Sequence, residues 1–192
     1  MEPDAAEDAD LLRAYRAGDR HAFARLYDRY DPRCFLFIRR TLGAAYAGAA
    51  EDLHQETWLA VARHAGSFDE TKASFAAWLF TIARRKVLDH FRRQKVAVLG
   101  AAADDTVMMV ADPGPNPFEQ MQSREAAEWL VAAVEALPLA QRETFVLSAN
   151  AGLSLEEIAE ATGVGVETAK SRLRYARASL RQTLVGKGAA HA

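Results

Sequence analysis

GLSLEEIAEATGVGVETAKSRLRYARASLR, residues 152–181, reads as two short helices joined by a tight turn, the second loaded with cations. Ser154 and Glu157 have the Ser-x-x-Glu spacing of a capping box, which predicts a helix starting at Leu155. Leu155, Ile158, Ala159 and Thr162 then share one face. Gly163 and Gly165 flank Val164 in a turn where positive φ is cheap, and a second helix is predicted from about Val166. Its buried stripe is expected at Ala169, Leu173, Ala176 and Leu180. Roughly one residue's rotation away lie Lys170, Arg174, Arg177 and Arg181. A helix-turn-helix that lays its second helix in the major groove has this layout, with donors for phosphates and base edges.

Charge distribution says more than net charge. The 192 residues carry a formal net charge of only −2. Glu2, Asp4, Glu7, Asp8 and Asp10 make an acidic start, whereas residues 84–95 and 170–181 are cationic blocks. Local patches of this kind, not the sum, govern binding to a polyanion. Half the residues are hydrophobic, enough for real cores in one large domain or two small ones. Cys34 is the single cysteine, so it reads as a small buried hydrophobe, with no intrachain disulfide or multi-cysteine zinc site. The start of the chain does not read as a signal peptide, and no apolar run approaches a membrane span. A soluble, cytoplasmic protein without membrane insertion is expected.

Helical periodicity runs through most of the chain. Gly18 and Asp19 mark the end of one short helix and the N-cap of the next. Phe23, Leu26, Tyr27 and Tyr30 form a core face, Pro32 is expected to kink or restart that helix, and Phe35, Ile38 and Leu42 continue the stripe. Further helices are predicted over about 49–64 and 74–95, with a polar loop at 66–74. Over 96–122 the pattern breaks into small residues, acidic pairs and a proline-rich run, with a short strand conceivable at 106–110. Helical periodicity resumes with Ala126, Trp129, Leu130, Ala133, Val134 and Leu137, ended by Pro138. The expected fold class is therefore all-α, two small helical domains joined by a flexible linker, the second containing the helix-turn-helix. The expected bounds are an acidic tail at 1–10, a first domain at 11–95, a linker at 96–122, a second domain at 123–184 and a tail at 185–192.

Two further constellations bear on function. In the helix over 74–95, Phe75, Trp78, Leu79 and Ile82 at helical spacing lead into Arg84, Arg85, Lys86, His90, Arg92, Arg93 and Lys95. An aromatic half running into a cationic half suits a protein that holds unstacked bases and the adjoining phosphates, although such aromatics are often simply core. In residues 51–58, EDLHQETW, the inward positions are Leu53 and Thr57, followed by Ala60 and Val61. Asp52, Gln55 and Glu56 are left together outside, a solvated surface or a docking site for a basic protein. Glu51-x-x-His54 has the spacing of di-iron bundles but no second copy, and the five histidines show no metal-ligand spacing. No nucleophile elbow, P-loop or dinucleotide fingerprint is present, so neither an enzymatic role nor a cofactor is expected.

Taken in order, these pieces resemble a bacterial RNA polymerase sigma factor of the sigma-70 superfamily, of the compact extracytoplasmic-function (ECF) type. The resemblance covers residues 10–184. AEDLHQETW (50–58) is similar to the family helix that docks on the clamp coiled coil of the largest subunit of core RNA polymerase. It implies Asp52, Gln55 and Glu56 as polymerase contacts. SFAAWLFTIARRKVLDHFRRQK (74–95) resembles the helix that melts and reads the −10 element, implying Trp78, Arg84, Arg85, Arg92 and Arg93. The preceding loop, with Phe68 and Lys72, resembles the place where an extruded base is captured. Residues 137–177 resemble the domain that reads the −35 element. Lys170, Ser171, Arg174 and Tyr175 are the implied major-groove contacts, with either Arg174 or Tyr175 reading a base edge. Arg172, Arg177, Arg181 and Thr168 are the implied phosphate contacts. Promoter DNA and an anti-sigma factor are the other implied partners.

Two other classes fit less of the chain. A sigma mimic that binds an anti-sigma factor without touching DNA leaves both cationic helices without a role. A conventional helix-turn-helix repressor leaves residues 50–58 unexplained.

Overall fold

The structure, a computed structural model, describes residues 5–97 and 124–190. All regular elements among them are helical. Four α-helices form the first half: α1 (Ala5–Arg16), α2 (Arg20–Leu42), α3 (Ala50–His64) and α4 (Phe75–Ala97). Four more form the second: α5 (Arg124–Glu135), α6 (Leu139–Ala149), α7 (Leu155–Thr162) and α8 (Val166–Ala190).

The first half is organised on α2. Gly18, at φ 105°, ends α1, and Asp19 caps α2 by accepting from the His21 amide at 2.9 Å. Leu26, Tyr30, Cys34, Phe37 and Ile38 are all buried along one face. Pro32 does not break the helix; α2 runs through it to Leu42. The proline forfeits one bond to the Asp28 carbonyl, but Asp28 is exposed, so water can satisfy that oxygen. Packing of the stripe outweighs the loss. Phe37 meets Phe80 of α4 edge-on at 5.5 Å, and α3 closes the core with Leu53, Trp58 and Val61.

Among the described residues the acidic start is not a tail: residues 5–10 are helical. It enters α1 at Ala5 and packs along α2. Asp8 is buried, accepting from Arg29 and from the Tyr30 hydroxyl, while Glu7 accepts from Arg29 at 2.8 Å. At the other end, α8 continues as helix to Ala190, where a tail from 185 was expected. The short strand considered at 106–110 lies outside the described residues.

The second half packs its helices around Leu130, Val134, Leu137, Phe145, Ile158, Leu173 and Leu180. The capping box at α7 forms as read: Ser154 Oγ accepts from the Glu157 amide, and Glu157 Oε2 accepts from the Ser154 amide at 2.9 Å. Gly163 takes the left-handed conformation at φ 71°, and its amide and that of Val164 close onto the Glu160 and Ala159 carbonyls. Gly165 does not share the positive φ expected of it. The turn needs one left-handed residue, and Gly163 supplies it.

The two halves do not stand apart. α2 and α4 pack against α6 and α7, so the buried residues form one continuous cluster. Arg142 donates to the Thr41 carbonyl at 3.1 Å, Glu135 accepts from the Ala44 amide at 3.1 Å, and Arg33 reaches the Ala151 carbonyl at 3.5 Å. None of these pairings is foreshadowed by local spacing.

Candidate nucleic-acid interface

α8 is held by the buried stripe that its periodicity predicts: Ala169, Leu173, Ala176 and Leu180 are all inside. This fixes which side of the helix faces out. Thr168 and Lys170 are exposed, while Ser171, Arg172, Arg174, Tyr175, Arg177 and Arg181 are half-buried along the flanks. Half-burial is what long cationic side chains show when their stems lie on the helix and their heads reach the surface. Arg174 lies over the Tyr175 ring at 5.1 Å, with Nη2 3.4 Å from the tyrosine hydroxyl. The Nε atoms of Arg174 and Arg177 are buried and make no hydrogen bond among the described residues. Lys170, Ser171, Arg174 and Arg177 line a concavity of about 390 Å³ that opens beside the start of α7. The geometry presents planar donors and a hydroxyl together on a mainly cationic helix face, where Glu167 lies 3.6 Å from Lys170 Nζ.

α4 divides its residues by helical angle. Ala76, Leu79, Phe80, Ala83 and Val87 are buried. Trp78, Arg85 and Arg92 are seven residues apart and so lie along the opposite side. Arg85, Arg92 and Arg93 are exposed and Trp78 is half-buried; Arg92 pairs with Asp89 at 3.0 Å. This row matches the sequence reading of aromatic and cation on one helix.

One expected member of that surface, Phe68, sits inside it. Phe68 is only 8% exposed, packed against Trp78 at a ring separation of 5.3 Å and against Phe75 at 6.3 Å. It supports the loop from within and offers no ring to a base. Lys72 lies at the surface of the same loop, paired with Asp69 at 2.9 Å. The Lys72 ammonium and the Thr71 hydroxyl hold the Asp69 carboxyl down to about 2.

Arg84 also departs from the row. It turns toward α6, and its Nε donates to Glu143 Oε2 at 3.1 Å. The Glu143 side chain is 2% exposed, and its Oε1 has no hydrogen-bond partner among the described residues. Burial pushes the Glu143 carboxyl above its ordinary value, and the guanidiniums of Arg84, Arg172 and Arg142 offset this only in part. A raised folded-state value means that protonation favours the fold. The contribution of this group falls as pH rises from the ordinary glutamate value, about 4.3, through the raised one. Glu143→Gln is expected to flatten that dependence, because it removes the group that titrates. Urea melts at a series of pH values check this, and an equally steep profile in the variant would refute it.

On α3, Asp52 and Gln55 are exposed and Glu56 is half-buried, its carboxylate 3.0 Å from Lys86 Nζ of α4. Leu53, Thr57 and Val61 face inward as the spacing requires. His54 is an inner residue. The Trp58 indole N–H donates to its Nε2 at 3.1 Å, and Phe35 meets the ring edge-on at 5.5 Å. Sequence reading missed Leu59, which lies on the same face as Asp52, Gln55 and Glu56 at i+7, i+4 and i+3 and is 53% exposed. An apolar residue following three polar ones at helical spacing was the available signal.

Comparison with known proteins joins these surfaces. Residues 26–96 match the family model for sigma-70 region 2, and residues 127–180 match that for sigma-70 region 4. The chain is 34% identical over 189 residues to the ECF RNA polymerase sigma factor SigK of Mycobacterium tuberculosis (strain ATCC 25618 / H37Rv), covering 95% of this chain and 96% of the relative. The chain belongs to the ECF sigma factor family. A further ECF relative, BldN of Streptomyces coelicolor, is 33% identical over 174 residues, covering 90% of this chain and 63% of BldN. Among solved structures, CnrH in complex with the cytosolic domain of CnrY aligns with a TM-score of 0.68 at 26% identity, over 95% of this chain and 99% of that one. The sigma factor RpoE bound to the anti-sigma factor NepR from Bartonella quintana aligns at 0.63 and 25% identity, over 84% and 96%. In this ECF sigma factor, then, α3 and α4 fall in the region 2 match, and α8 as far as Leu180 in the region 4 match. No helix among the described residues is long and apolar enough to cross a membrane.

Proposed function

We propose that this chain, as an ECF sigma factor, binds core RNA polymerase through the outer face of α3 and reads a two-part promoter with α4 and α8. The observation that carries this reading is that both family matches fall on helices whose buried stripe turns a cationic face outward. Trp78, Arg85, Arg92 and Arg93 on α4, with Lys72 in the preceding loop, are assigned to the −10 element. Aromatic stacking suits melted bases, and the cations suit the adjoining phosphates. Arg84 joins them only when it is released from Glu143.

On α8, Lys170, Ser171, Arg174 and Tyr175 are assigned to base edges of the −35 element. Thr168, Arg172, Arg177 and Arg181 are assigned to phosphates, which set position rather than sequence. The chain contributes no chemistry in this scheme; it places the catalytic polymerase on DNA. Asp52, Gln55 and Glu56 are assigned to the clamp coiled coil of the polymerase largest subunit. The complexes of CnrH with CnrY and of RpoE with NepR support a regulatory anti-sigma partner here as well.

Leu59 is the apolar anchor of the α3 face. Covering a half-exposed leucine contributes on the order of 1–2 kcal/mol, so Leu59→Ala is expected to weaken core polymerase binding about tenfold. Melting temperature should hardly change, because the side chain is exposed in the free protein. Binding of labelled protein to purified core polymerase tests both. Undiminished affinity in Leu59→Ala together with Asp52→Ala would remove α3 from the interface.

A further inference from the structure

The loop between α3 and α4 carries two carboxylates and one ammonium, those of Asp69, Glu70 and Lys72. Lys72 is assigned to DNA, and an unanswered carboxylate beside it would repel the same phosphates. Asp69 is answered inside the loop. Lys72 Nζ lies 2.9 Å from its Oδ2, and the Thr71 amide and hydroxyl donate to its Oδ1 at 3.1 and 2.7 Å. The Lys72 and Ala73 amides close onto the Asp69 carbonyl at 3.0 and 3.3 Å. Residues 69–73 are therefore one self-bonded turn.

Two fastenings tie this turn to other elements. Its root is held by Phe68, buried against Phe75 and Trp78 of α4. Its tip is held by α1. Arg13 donates through Nη2 to both carboxylate oxygens of Glu70, each at 2.8 Å. Through Nη1 the same guanidinium donates to Asp10, one turn back on α1, at 2.6 Å, which aims it before it meets Glu70. Arg13 and Glu70 line a cleft of about 230 Å³ together with Ala9, Leu12 and Phe68. Each loop carboxylate thus has its own cation, and only that of Asp69 is also assigned to a phosphate.

Exposure separates stability from placement. The Arg13 and Glu70 side chains are 60% and 47% exposed, and a pair so wet adds little to global stability. It does decide where the tip of the loop sits, and recognition groups discriminate only when they are held in place.

We propose that Arg13 is a positioning residue for −10 recognition: through Glu70 it fixes the loop that presents Lys72 beside Trp78. This rests on the sigma-factor reading above and extends it to α1, which lies outside both family matches. Without the pair the tip hinges on Phe68, Glu70 is left unneutralised, and Lys72 meets DNA in more than one place.

A double-mutant cycle read out as sequence selectivity tests this. Promoters with one element fixed and the other randomised are transcribed by core polymerase with each variant. Arg13→Ala should flatten the −10 profile about fivefold at its most selective position. The −35 profile and the melting temperature should hardly move. Glu70→Ala should flatten the −10 profile equally, although it makes the loop less acidic. The double variant should be no flatter than either single, because both remove one interaction. A further loss from Arg13→Ala in the Glu70→Ala background would make Arg13 a DNA contact in its own right and overturn the positioning role. An unaltered −10 profile in Arg13→Ala, or equal losses at −10 and −35, would overturn it too. If the parent protein gives no protein-dependent transcripts, the sigma-factor reading itself fails and takes this inference with it.

Discussion

Asp8→Ala is expected to lower stability by about 3 kcal/mol, among the largest effects of any single polar substitution in the first half. The Asp8 side chain is 2% exposed and accepts from both Arg29 and the Tyr30 hydroxyl. Removing it leaves a buried phenol without its acceptor and takes one of two carboxylates from the Arg29 guanidinium. The figure belongs at the lower end of the usual 3–5 kcal/mol because Arg29 keeps Glu7 and is 26% exposed. Tyr30→Phe provides the comparison. It deletes one donor and leaves Asp8 with Arg29, so it should cost about 1 kcal/mol. Chemical denaturation of the two variants checks the ranking, and an Asp8→Ala protein as stable as the parent would return residues 5–10 to the role of a tail.

Arg174→Ala should cost about 1–3 kcal/mol in binding to the −35 element and relax selectivity at one base position. Arg181→Ala should instead weaken binding evenly across sequences and lower the salt slope by about 0.9. The structure adds a condition to the first. Arg174 is stacked on Tyr175, so its loss also frees that ring. Tyr175→Phe separates the two roles: it keeps the ring and removes the hydroxyl near Arg174 Nη2. If selectivity survives Tyr175→Phe and fails in Arg174→Ala, the arginine reads the base. Identical sequence profiles for Arg174→Ala and Arg181→Ala would end the division between base and phosphate contacts.

What was legible in the sequence was whatever repeats at helical spacing. The stripe from Ala169 to Leu180, the capping box at Ser154 and Glu157, and the outward Asp52, Gln55 and Glu56 are local patterns that local physics enforces. Pro32 shows the limit of such rules, since one lost hydrogen bond is outweighed by the packing of Tyr30, Cys34 and Phe37. Phe68 and Asp8 were misplaced because their surroundings are tertiary. A phenylalanine in a polar loop gives no sign of the Phe75 and Trp78 rings waiting beneath it. An aspartate in an acidic run gives no sign of Arg29, 21 residues away. The docking of the halves was the least legible feature of all. Its seam includes buried alanines, Ser74 and Glu157, and an arginine–glutamate pair 59 residues apart, none of which breaks the pattern of its own helix.

An ECF sigma factor turns core RNA polymerase into a promoter-specific enzyme. Run-off transcription from a pool of genomic promoter fragments, with purified core polymerase in the presence and absence of the protein, measures that directly. Protein-dependent transcripts are expected whose promoters share one −10 and one −35 sequence, weaker and less selective at one −35 position with Arg174→Ala. Transcripts that are the same with and without the protein, while it is bound to core, would contradict it.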